Sequence, residues 1–179
     1  VMSVLGNPES PVALFYNIWL VVLGILLIIS AFNFYHVFSP VSKSWALIGC
    51  VLLMVFAIGA GVLSGIFSVN ENKEEESMAA KIHGIGAGLG FIALAFIPLI
   101  VSLLLFKSDD YKTAALSLFF FLLSLVFFVF FVISEKEVYK DSILGLSGLW
   151  QRLFLASMYM PLLLIALKLI LENTGKINP

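Results

Sequence analysis

Apolar positions along this chain of 179 residues gather into five long runs, 12–34, 45–67, 79–106, 114–133 and 149–170, with short polar connections between them. Each run approaches or exceeds the roughly 20 residues an α-helix needs to cross about 30 Å of hydrocarbon. None shows the alternation of apolar outer and polar inner positions that a membrane β-barrel requires. In lipid every backbone donor and acceptor needs a partner inside the chain, which leaves helices. The pattern predicts an all-α fold, a polytopic transmembrane helical bundle of five spans forming a single domain over 1–179.

Within that frame the fourth run, ALSLFFFLLSLVFFVFFVI, is apolar all round and reads as a peripheral helix facing lipid, with Ser117 and Ser124 marking its inner face. Pro98 and Pro161 are expected kinks in the third and fifth runs. Trp19, Trp45 and Trp150 fall near run boundaries, where aromatic belts sit. His36 and Lys43 are expected in a solvated loop and Lys168 as a snorkelling anchor.

Composition agrees with a membrane protein: 61% hydrophobic and 12% charged residues, and a mean hydropathy of +1.11. A net charge of -1 with no basic stripe excludes a nucleic-acid partner. The single cysteine, Cys50, lies inside the second run as a small core residue, so no intrachain disulfide or cysteine zinc site is expected. The opening VMSVLGNPES lacks the basic region of a secretory signal. If the side holding the residues before the first span is called A, each side carries five Lys and Arg. Eight acidic residues on side A against three on side B leave -3 and +2, which leans side B towards the cytoplasm.

Polar residues inside spans are costly and mark function by default. Asn17 lies near the start of the first run, Ser64 near the end of the second, His83 near the start of the third, and Gln151 with Arg152 at the start of the fifth. Helix direction puts all five at the side A boundary, the arrangement of a shallow pocket opening to the outer leaflet. Arg152 shares a face with Ala156 and Tyr159 and carries a group suited to phosphate or carboxylate. In KIHGIGAGLGF, 81–91, His83 shares a helical face with Gly86, Ala87 and Gly90, while Gly84 and Gly88 form a second small-residue stripe. Such stripes admit a close helix, from this chain, a second copy or a membrane partner.

Reaction chemistry is less visible. There is no H-E-x-x-H, Walker A or G-x-S-x-G; GVLSG at 61–65 and GLSG at 145–148 miss the last spacing. His36 and His83 are expected on opposite faces, too few and too far apart for a catalytic metal, and no cofactor motif is present. The acidic run at 74–76 lacks EF-hand spacing. The span centres are free of charge, which weighs against a transport path.

Three stretches, SVLGNPESPVALFYN, the lone histidine in KIHGIGAGLGF and GLWQRLFLASMYMP, resemble the small prokaryotic integral membrane proteins of domain of unknown function 998. More distantly they resemble the Frag1/DRAM/Sfk1 membrane proteins. The resemblance implies a multi-pass protein of the prokaryotic plasma membrane. It also implies a sixth helix ahead of the S-x-L-G segment at 3–6, in keeping with the loop-like opening residues. It supplies no activity, cofactor or substrate. The residues themselves favour a lipid or other amphipathic ligand held by His83, Arg152, Gln151, Asn17, Ser64 and Tyr159 at the outer face. The alternatives are a lipid-modifying enzyme using His83 and Arg152, with Ser64 as nucleophile, and an assembly subunit docking through Gly84, Gly86, Gly88 and Gly90.

Overall fold

The computed structural model describes the backbone of residues 2–67 and 77–175 and the side chains as far as Leu171. All regular structure among them is helical, and five helices are long and apolar enough to cross a membrane: Ala13–Phe38, Lys43–Ile66, Met78–Lys107, Tyr111–Ser134 and Ser147–Leu171. The first, α1 (Ala13–Phe38), runs four residues past its expected end. Phe34 and Phe38, one turn apart, are both buried and their rings lie 4.8 Å apart, so the inward stripe continues beyond the polar Asn33 and His36. His36 is therefore an exposed residue of the last helical turns, not of a loop.

The second span is α-helical over α2 (Lys43–Phe56), then π-helical over Ala57–Leu63, and closes with an α-turn, Ser64–Ile66. The third is two helices, α3 (Met78–Ala95) and α4 (Ile97–Lys107). Ser77 caps α3 by accepting the Ala80 N–H at 3.1 Å. At the other end the Phe96 N–H turns to Ala93 O at 3.2 Å, and Pro98 has no N–H to carry the ladder on, so the expected kink is a break. The chain divides at the same place into two compact units, Val1–Ile97 and Pro98–Pro179.

In the first unit the π segment packs on both α1 and α3. Four of its seven residues are Gly or Ala, and there backbone meets backbone. A Cβ on Gly61 would lie 2.7 Å from Gly24 Cα, and one on Gly65 would lie 2.7 Å from Asn17 O, so Gly61 and Gly65 both rest on α1. On the other side a Cβ on Gly59 would run into the Gly86 carbonyl, and one on Gly90 would lie 2.9 Å from Ala60 Cβ. Gly86 and Gly90 are thus used within the chain, whereas Gly84 and Gly88 have nothing within 4 Å.

The second unit holds α4, α5 (Tyr111–Ser134) and α6 (Ser147–Gly175). Helix α5 turns its small residues inward: Ala114, Ser117 and Ser124 are fully buried while Phe119, Leu122 and Val129 are exposed. Phe128 meets Phe154 of α6 with ring centroids 5.2 Å apart. Helix α6 runs unbroken through the buried Pro161, so that proline ends no helix.

The turn before α5 is built by two aspartates. Asp109 takes the left-handed conformation at φ 61°, and the next N–H, of Asp110, reaches back to Leu105 O at 3.0 Å, closing α4 in a Schellman pattern. Asp110 then caps α5 by accepting the Thr113 N–H at 3.3 Å and pairs with Lys168 Nζ at 2.7 Å. Lys168, expected as a snorkelling anchor, also ties the far part of α6 to the start of α5.

Two outcomes follow from these contacts. Gly59→Ala sets a methyl against a backbone carbonyl that cannot swing away, and costs about 1–3 kcal/mol. Gly84→Ala and Gly88→Ala meet open space and gain up to about 1 kcal/mol of helix propensity. Thermal unfolding in mild detergent measures all three, and Gly59→Ala unfolding with wild type would contradict the docking. Asp110→Ala removes a cap worth ~1 kcal/mol and a half-exposed ion pair worth ~0.2–1 kcal/mol. The Lys168 ammonium foremost, and the Thr113 contacts after it, hold the Asp110 carboxyl below its ordinary value. Its contribution is therefore complete above the ordinary value of ~3.9 and is lost as pH falls through the lowered one. Wild type and Asp110→Asn should differ by a constant amount at mildly acidic to neutral pH and converge only in stronger acid, a course that denaturation at stepped pH would follow.

Candidate functional site

The residues 64–67, at the end of the second span, are the point on which three of the expected site residues converge. Gly65 lies against the Asn17 backbone of α1. Ser64 is 3% exposed, and its hydroxyl donates to Gly59 O at 3.0 Å. His83 of α3 is 7% exposed, with Nδ1 2.9 Å from Phe67 O. A carbonyl oxygen only accepts, so Nδ1 carries the proton, and in the neutral ring Nε2 keeps its lone pair. Among the described residues no buried side-chain nitrogen or oxygen lacks a partner. His83 makes no second hydrogen bond among the described residues, so Nε2 is uncommitted and not fully sealed.

Asn17 has a separate task. Its Nδ2 donates to Gly6 O at 3.2 Å, and a Cβ on Gly6 would lie 2.5 Å from Asn17 Oδ1. The short 3-10 helix Met2–Gly6 is thereby fastened to the first turns of α1. Asn17, Ser64 and His83, on three helices, each donate to a carbonyl of their own chain.

The other three expected residues, Gln151, Arg152 and Tyr159, lie on α6 in the second unit. Gln151 is buried, Tyr159 half-buried and Arg152 exposed. Arg152 Nη1 donates to Gly148 O one turn earlier, at 2.7 Å. One face of the guanidinium is thus spent on its own helix, and the remaining N–H groups stay available to an anion. Trp150 beside it packs on Phe127 and Phe130 of α5, with centroids 6.3 and 4.9 Å away, and donates Nε1–H to Leu144 O at 3.1 Å.

Sequence reasoning passed over Phe67, whose carbonyl orients His83, and the packing value of GVLSG at 61–65. Tested only as a failed nucleophile motif, GVLSG is also G-x-x-x-G, and both glycines rest on α1. A backbone acceptor at the end of a helix leaves no sequence signal beyond the end itself. The acidic run at 74–76 lies outside the described residues. Among those described, no group of three His, Cys, Asp or Glu side chains could hold a metal ion.

The model of the family described as "Protein of unknown function (DUF998)" matches residues 1–168. No curated protein matches the chain. No solved structure matches it either.

The two nitrogens of His83 can be separated by substitution. An Asn amide reaches the Nδ1 position, so His83→Asn should keep the Phe67 bond and unfold within ~0.5 kcal/mol of wild type. His83→Ala leaves that carbonyl without its donor and should cost ~1–3 kcal/mol. Thermal unfolding of the two variants side by side is the measurement; equal losses would mean that the Phe67 contact carries no stability.

Proposed function

The chain belongs to the DUF998 family, and from its own geometry we propose that this multi-pass membrane protein binds the polar head of a lipid or other amphipathic molecule beside His83. The observation that carries the reading is the state of that histidine. It is buried, held in one orientation by Phe67, and offers one open nitrogen at the end of a span. A locked ring with a free acceptor is suited to a ligand that brings a donor of its own, and ordering the ring in advance lowers the cost of binding. Ser64, also buried, stands three residues before Phe67, and the Asn17 backbone lies against Gly65 between them. On α6, considered by itself, the exposed Arg152 guanidinium has N–H groups left for an anionic headgroup, with Gln151 and Tyr159 on the same helix. The charge lean of the loops favours the external face for this end, and the family resemblance favours a prokaryotic plasma membrane.

Lipid-modifying chemistry is less well supported. Ser64 Oγ–H points to Gly59 and His83 Nδ1–H to Phe67, so the two share no nucleophile–base hydrogen bond.

Lipid retained through gentle purification tests the proposal. Extracts of wild type, His83→Asn and Arg152→Ala are compared by mass spectrometry per mole of protein. Loss of one ligand hydrogen bond of ~1–1.5 kcal/mol lowers occupancy about five- to tenfold in His83→Asn, a variant expected to fold as wild type does. Equal lipid content and composition in all three proteins would overturn the reading.

A further inference from the structure

The link between α5 and α6, residues 135–146, is a folded element. It contains two 3-10 turns, Glu137–Tyr139 and Ile143–Gly145. Successive N–H groups of Lys136, Tyr139, Lys140, Ser142, Gly145 and Leu146 donate to carbonyls three residues back, at 2.9–3.2 Å. Gly145 lies on the backbone of Tyr139 and Lys140, where a Cβ would come within 2.6 Å of Lys140 O. The indole of Trp150 fastens the second turn through Leu144 O.

This rigid link presents apolar side chains outward. Val138 is 87% exposed, Ile143 75% and Leu146 51%. In water such exposure is a cost without return. The link, however, joins the ends of two membrane spans, and twelve residues wound into tight turns cannot carry it far from the bilayer boundary. A backbone with its own hydrogen bonds and apolar side chains outside is what the boundary between headgroups and acyl chains accepts. Charge gives no competing attraction: Lys136 and Lys140 are offset by Glu135, Glu137 and Asp141, and Lys140 is paired with Glu137 at 2.6 Å.

We propose that 135–146 is an interfacial cap, with Val138 and Ile143 inserted among the acyl chains of the leaflet on its side and held there by apolar burial, not by anionic lipid. The cap fixes the depth of α5 and α6 in the bilayer. It is independent of the His83 site.

Depth measurement by spin label tests it. Val138→Cys, Ile143→Cys and Glu137→Cys are each made in full-length Cys50→Ala protein, labelled with a nitroxide and reconstituted into phosphatidylcholine vesicles. The labelled side chains are exposed, so packing is undisturbed. Expected is a several-fold higher ratio of collisions with oxygen to collisions with a water-soluble nickel chelate at 138 and 143 than at 137, unchanged when phosphatidylglycerol is added. Overturning results are a water-like ratio at 138 or 143, shielding of either label from both reagents, which would mean a protein cover, or insertion that appears only with the anionic lipid.

Discussion

Polar side chains in this protein are disciplined by one requirement, that a donor carried into hydrocarbon must find an acceptor within the chain. Asn17 finds Gly6, Ser64 finds Gly59, His83 finds Phe67, Ser102 finds Ala114 and Trp150 finds Leu144, in every case a backbone carbonyl. Three of these acceptors share a circumstance. Gly6 and Phe67 stand at or just past the end of a helix, where carbonyls lose their intrahelical partners. Gly59 lies in the π segment, where the regular ladder is disturbed. Asn17, Ser64 and His83 thus meet carbonyls at a helix end or in the π segment, whereas Ser102 and Ser117 donate to carbonyls inside a regular helix.

That accounting separates the polar residues from one another. Asn17 and Ser64 each donate one hydrogen bond within the chain, and His83 does so through one of its two ring nitrogens, which fixes the ring. Under the proposed reading, an uncommitted nitrogen on a ring held in one orientation is what makes His83 the centre of the site. Arg152 has surplus too, after one N–H is spent on Gly148.

Membrane class, the number of spans and the inner face of the fourth helix were legible because each is written in periodicity and length. Ser117 and Ser124 are buried as their spacing requires, and family membership over 1–168 agrees with the three stretches that suggested it. The end of α1 was misread because His36 looked like loop chemistry, although Phe34 and Phe38 carried the stripe onward. The pairing of Lys168 with Asp110 joins residues far apart in sequence and had no local signal. The π segment was hidden for another reason: AIGAGVL is apolar and small, and it reads like any stretch of tightly packed span.

That segment also has a consequence for aim. A π turn closes its hydrogen bond one residue later than an α turn, so the stretch from Ala57 to Leu63 delivers the following residues out of phase with a uniform helix begun at Lys43. A residue more or less along an α-helix is a rotation of about 100°. The direction in which the Phe67 carbonyl faces, and with it the orientation of the His83 ring, is therefore a matter of phase: it is set by how many residues precede it as much as by which residues they are.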